Sequence, residues 1–271
     1  MFFPRIFLGD STIKCCQPKS SAASDGWWEG ATRDQMSAGS AYVNTIDGIA
    51  VKPKIVLHTT EGGSWEGARS AYTNTHPHFT VTFQKGFFQA YQHCSILTSA
   101  KALKHPAGTV HTNLAKAVQI EIVGQAVKAP NFDRKYLDGI ATLLRWIEGV
   151  MGIPKRSVQF LPYPSSYGNS PVRLSASQWI SFSGTLGHQH VPVNSHGDPG
   201  NLDINYLMGT PGTVWPAPSG SGSTTPGTNG QPGDFGTCTS QGRQGVCQDK
   251  SACGGTVVTG LCAGGSSQSQ K

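Results

Sequence analysis

Four stretches of the chain carry a clear hydrophobic period. Lys54-Ile55-Val56-Leu57-His58 is a short apolar run that reads as a buried strand delivering its last residue to a sheet edge. Phe79 to Phe83 alternates strictly, as a half-buried strand does, and Phe87 to Tyr91 follows after Gln84-Lys85-Gly86. That pair predicts a hairpin, with Gly86 supplying the positive φ of the turn. Val118 to Val123 is a further strand. Val118, Ile120 and Ile122 fall on one face, and Gln119, Glu121 and Val123 on the other.

Helical spacing appears in three places. Ser64 to Thr73 predicts a short helix with Trp65, Ala68, Ala71 and Tyr72 on one side. Asp133 to Met151 carries the strongest stripe: Tyr136, Leu137, Ile140, Leu143, Leu144, Ile147 and Met151. Asp133 suits an N-cap, and Gly152 and Pro154 stop the helix. Ser175-Ala176-Ser177-Gln178 is a capping box opening a third helix, with Trp179 and Phe182 facing the core. Strands alternating with helices predict an α/β fold, a central mixed sheet flanked by α-helices. The hairpin keeps the sheet from being wholly parallel.

The candidate chemistry lies in Gly187 to Gly200, where His188, His190, His196 and Asp198 fall close together. Glycine and proline break the stretch, so it is a loop. Zn²⁺ takes imidazole nitrogen and carboxylate oxygen, and a catalytic site keeps one position for water. A single loop usually needs a ligand from elsewhere, and His58 at its strand end is the obvious donor. Glu121 sits inside an apolar strand. It is either an edge carboxylate paired with a lysine or a general base held beside a metal. His76 and His78 precede a strand and read as structural; Trp27 and Trp28 read as packing an N-terminal arm.

At these residues a resemblance becomes plain. A strand ending in His58, followed by Thr59-Thr60-Glu61-Gly62, resembles the opening motif of zinc-dependent N-acetylmuramoyl-L-alanine amidases, the family that includes peptidoglycan recognition proteins. The loop Gly-His-x-His-x-Pro-x-Asn-x-His-x-Asp-Pro-Gly resembles that family's second zinc motif. The likeness covers residues 41 to 208. It implies zinc held by His58, His188 and Asp198, the last two ten residues apart. It implies Glu121 as the catalytic carboxylate and His196 as the oxyanion donor. It implies hydrolysis of the amide between N-acetylmuramic acid and L-alanine in peptidoglycan; the working form is expected to be a monomer. His190 then orients the loop, and Thr112 and Asn113 are candidates for the substrate wall. The alternative reading is a peptidoglycan-recognition protein that binds without cleaving. An unrelated zinc protease lacks its His-Glu-x-x-His helix here.

The chain has 271 residues, a net charge of +6, 13% charged residues, 34 glycines and 17 prolines. This loop-rich composition suits an extracellular protein, and the basic excess suits a polyanionic cell wall. No basic run or nucleic-acid motif points to nucleic acid, and no stretch approaches a transmembrane span. The N-terminus has no clear signal peptide. The expected organisation is an N-terminal extension over 1–40, a catalytic domain over 41–210, a Gly/Ser/Pro-rich linker over 211–236, and a cysteine-rich module over 237–271. So small a module needs staples, which predicts two disulfides among Cys238, Cys247, Cys253 and Cys262. Their spacing resembles small cysteine-rich modules of secreted fungal wall-lytic enzymes, which often end in a further cysteine pair. With seven cysteines in all, at least one thiol is left over within the chain.

Overall fold

The computed structural model describes residues 13–17, 25–37, 39–209, 237–240, 243–249 and 256–258, the first and the last three segments by backbone alone. The chain divides into two compact units. One takes Met1–Ala22 together with Gly220–Lys271; the other is Ala23–Ser219. In chain order the strands are β1 (Ile13–Gln17), β2 (Thr32–Arg33), β3 (Thr45–Ile46), β4 (Ile49–Ala50), β5 (Lys54–Thr59), β6 (Phe79–Gln84), β7 (Phe87–Gln92), β8 (Ala117–Ile122), β9 (Gly184–Gly187), β10 (Thr237–Ser240), β11 (Arg243–Asp249) and β12 (Thr256–Val258). The helices are α1 (Trp65–Ser70), α2 (Arg134–Met151), α3 (Ala176–Ser181) and α4 (Ile204–Met208).

The larger unit is built on a mixed six-stranded sheet in the order β2-β7-β6-β8-β5-β9. Only β6 and β7 run antiparallel; the other neighbours are parallel. The hairpin turn needs positive φ at both central positions, and Lys85 and Gly86 supply it at 52° and 81°.

Alternation sorts the sheet into two faces. Ile55, Leu57, Phe79, Val81, Val118, Ile120 and Ile122 join the buried stripe of α2 in one core. Asp133 caps α2 by accepting from the Lys135 amide at 2.8 Å, and Gly152 ends it at φ 64°. Gly139 lets this helix approach β7: a Cβ there would lie 2.1 Å from Phe88 Cγ. On the other face, Val56, Ala117 and Leu186 pack against Trp179, Ile180 and Phe182 around α3, whose capping box is formed by Ser175 and Gln178. Ahead of α2 the predicted helix from Ser64 shortens to α1, which has no fully buried residue and packs mainly through Trp65 stacked on Tyr91 at 3.8 Å.

The second face also hides a charge. Lys54 is fully buried, its ammonium donating to the carbonyls of Lys52 and Ala115 and lying 5.2 Å above the Trp179 ring. Burial, helped by nearby Lys116, lowers its pKa from 10.5 to about 7. The unfolded chain then binds more protons than the folded one between about pH 7 and 10.5, so this group makes stability rise with pH across that window. The slope it adds is at most about 1.4 kcal/mol per pH unit. Urea unfolding at several pH values should show the rise in the wild type and a flatter profile in Lys54→Met. Equal slopes would contradict a buried, deprotonating lysine.

The smaller unit contains a four-stranded antiparallel sheet in the order β10-β11-β1-β12. No helix among the described residues is long and apolar enough to cross a membrane.

Candidate metal centre

Three adjacent parallel strands end together. β5 lies between β8 and β9, with His58 level with Glu121 and Leu57 level with Gly187. The residue after Gly187 is His188, so the ends of the three strands bring Glu121, His58 and His188 to one edge. The carboxyl ends of parallel strands are where α/β folds place their ligands. The loop beyond β9 returns Asp198 to the same point, where its Oδ2 accepts from the Thr59 amide at 3.3 Å.

The donors converge. His58 Nδ1 and His188 Nδ1 are 3.0 Å apart. Asp198 Oδ1 lies 3.2 Å from His188 Nδ1, and its Oδ2 lies 3.6 Å from His58 Nδ1. Ligand atoms about 2.0–2.1 Å from a tetrahedral metal lie roughly 3.3 Å from one another, so this spacing fits one ion with little adjustment. All three residues are buried, and they form the group of ligand-type side chains that could hold a metal ion among the described residues. His58 Nε2 donates to Gln119 Oε1 at 2.8 Å, which turns Nδ1 toward the site, where a metal would take the place of its proton.

The other histidines singled out in the sequence divide cleanly. His190 is buried with both nitrogens used: Nδ1 accepts from the Gly187 amide at 2.8 Å and Nε2 donates to Gln159 O at 2.9 Å. It braces the turn and has no nitrogen for a metal. His196 is exposed; its ring stacks on His188 at 4.4 Å and 10°, with Nδ1 3.7 Å from Asp198 Oδ1. His76 bonds the carbonyls of Pro77 and Ser37, and His78 accepts from the Gln119 amide and bonds Thr98 O. Both lie in the fold's interior.

Glu121 stands beside this cluster, Oε1 3.9 Å from His58 Nδ1 and Oε2 buried without a hydrogen-bond partner. Burial lifts its pKa to about 7, against the pull of His58 and with a push from Asp198 and Glu61. A general base beside a metal must be ionised to accept a proton. In the metal-free cluster burial outweighs His58, and a bound dication would tip the balance back. His58 itself is pressed down by burial, yet Glu121, Asp198 and Gln119 together raise it to about 9. Burial brings His188 down to about 4. Burial alone would raise Asp198, but His188, His196 and His58 hold it well below the usual carboxylate range.

A cavity of about 600 Å³ borders the cluster at His188; His58, Asp198 and Glu121 are not among the residues that line it. One wall is His188, Asn194, Ser195 and His196 of the loop; the other is Ala102, Lys104, His105 and Pro106. Thr112 and Asn113 are not part of that lining. Asn113 instead fastens this second wall, its side chain bonding both the N–H and the carbonyl of Leu103 at 3.0 and 2.6 Å.

No family model matches the chain, and no curated protein matches it. Solved structures similar to it include the Staphylococcus aureus hydrolase AmiA in complex with its ligand, at 17% identity over 66% of this chain and 80% of that one, with a TM-score of 0.40. A selenomethionine derivative of AmpD is 13% identical over 68% of this chain and 97% of that one, with a TM-score of 0.41. The N-acetylmuramoyl-L-alanine amidase LysC from Clostridium intestinale is 11% identical over 66% and 98%, with a TM-score of 0.37. Likeness this distant carries no argument about chemistry, which rests on the residues of the site.

Two contributors to the site were not singled out in the sequence. Gln119 shares a strand face with Glu121, two residues earlier, so alternation held the signal. Arg173 was invisible. Its guanidinium ties the loop by donating to Val191 O, Asn194 Oδ1, Gly168 O and His196 O at 2.9–3.0 Å. Five donors in a rigid fork suit such multiple carbonyl bonding.

Proposed function

We propose that the unit Ala23–Ser219 is a zinc-dependent amidohydrolase that cleaves the bond between N-acetylmuramic acid and L-alanine in peptidoglycan. The observation that carries the hydrolase reading is the convergence of His58, His188 and Asp198 beside Glu121, whose buried Oε2 has no other partner. The donor set, two imidazoles and one carboxylate, suits zinc with a position left open. Peptidoglycan as substrate is supported by the paired sequence motifs at His58 and Gly187–Gly200, and by the basic charge. The same substrate places the working protein outside the cell.

Bound zinc supplies a Lewis acid that acidifies water and polarises an amide carbonyl. The chain's own residues do the rest. Glu121 takes a proton from the attacking water and passes it to the leaving alanine nitrogen. Its place beside the ligand group, with Oε1 3.9 Å from His58 Nδ1, suits both jobs. His196, reaching into the cavity from the loop, donates to the oxygen that gains charge, a contribution of about 2.7–4 kcal/mol for one such donor. Gln119 and Arg173 hold His58 and the loop in place, so little reorganisation is needed on binding.

Digestion of purified sacculi followed by mass spectrometry tests this function. Free stem peptides beginning with L-alanine, with intact glycan strands, are the expected products. Cleavage inside the stem peptide would mark a protease instead. Retention on sacculi with no product would mark a recognition protein.

A further inference from the structure

The smaller unit contains an element that the tail alone does not supply. β1 lies inside its sheet, between β11 and β12, and both pairings are antiparallel. A strand from the start of the chain therefore joins strands from its end, and it carries Cys15 and Cys16. In the β1–β11 register Cys15 is level with Cys247. Cys238 is level with Gly245 across β10–β11, two residues from Cys247, so Cys15, Cys247 and Cys238 share one face of the sheet. Cys16 falls on the other face.

The cysteine arithmetic agrees. Of the seven, Cys94 belongs to the larger unit, where it is free and buried, its thiol pushed up by burial to about 12. It stays a neutral, unreactive thiol. The other six, Cys15, Cys16, Cys238, Cys247, Cys253 and Cys262, all fall in the smaller unit, and six is an even number.

We propose that disulfide bonding ties β1 to the tail, with Cys15 joined to Cys247. Residues level on adjacent antiparallel strands have Cα atoms about 4.5–5.5 Å apart, inside the roughly 4.4–6.8 Å that a disulfide spans. The bond forms by exchange: the two thiols give up two protons and two electrons to a disulfide of an oxidising compartment, which leaves as two thiols. The four tail cysteines are then not a closed set, as the sequence spacing had suggested. The beginning and end of the chain form one cross-linked unit, and the larger unit is inserted between them in sequence. No stable tail module is expected from residues 237–271 alone.

The full chain, produced through an oxidising secretory compartment and alkylated before unfolding, is digested with trypsin without reduction. Cleavage after Lys14, Lys19, Arg243 and Lys250 puts Cys15 and Cys16 in one short peptide and Cys247 alone in another. The expected result is a disulfide-linked species that contains peptides 15–19 and 244–250, together with any tail peptide held through Cys16, and that reduction separates into its peptides. Recovery of peptide 15–19 without any tail peptide would overturn the proposal. So would finding 244–250 joined only to another tail peptide, or both peptides fully alkylated.

Discussion

Glu121→Gln is expected to keep its metal and lose its chemistry. Glu121 lies 3.9 Å from the nearest ring nitrogen of His58 and outside the His58, His188 and Asp198 group, so the amide should leave zinc content near one per chain. The substitution is close to isosteric and the side chain is partly buried, so the fold should hold. An amide cannot accept the water's proton, and loss of a general base typically lowers the rate by about 10²–10⁴-fold. Single-turnover release of peptide from a muramyl-peptide, together with metal analysis, checks both halves. Turnover near that of the wild type would remove Glu121 from the mechanism. Loss of zinc would make it a ligand.

Asp198→Ala is expected to do the reverse and strike the metal first. Its two oxygens face His188 and His58 at 3.2 and 3.6 Å, and it supplies the site's anionic donor. Removing an outer partner of a ligand costs about 10–100-fold in metal affinity, so removing a ligand should exceed that range. Zinc per chain should fall well below one after dialysis against a weak chelator, with catalysis falling in step. Circular dichroism should show the helices retained, because the cores around α2 and α3 do not include Asp198. Full zinc occupancy in this variant would refute the ligand assignment.

The legible parts of the molecule were those with strong local periods or caps. α2 follows its apolar stripe from the Asp133 cap to Gly152, and α3 opens on the Ser175 box. β8 shows its two faces in six letters, which is why Glu121 could be set apart from Ile120 and Ile122. Less legible was whatever depends on strands meeting across long sequence distances. The level pairing of His58 with Glu121 follows from β5 and β8 being parallel neighbours, and no local pattern records that. β2 has only two residues, too few for a period. The entry of β1 into the tail's sheet is likewise a long-range pairing. Charge was hard to read for a related reason. Lys54 opens an apolar run and looks like a solvated end, but it is buried, since two backbone carbonyls and an indole face receive it. Glu121's proton affinity depends on burial that only the assembled site reveals.

The most direct measurement is a zinc titration of the metal-stripped wild-type chain, reading peptide release from a muramyl-peptide at each addition. Activity is expected to be absent at the start, to rise linearly, and to level off at about one zinc per chain, the stoichiometry of a single site built from His58, His188 and Asp198. Full activity in the stripped chain, or a chain that takes up one zinc and still releases no peptide, would contradict the account.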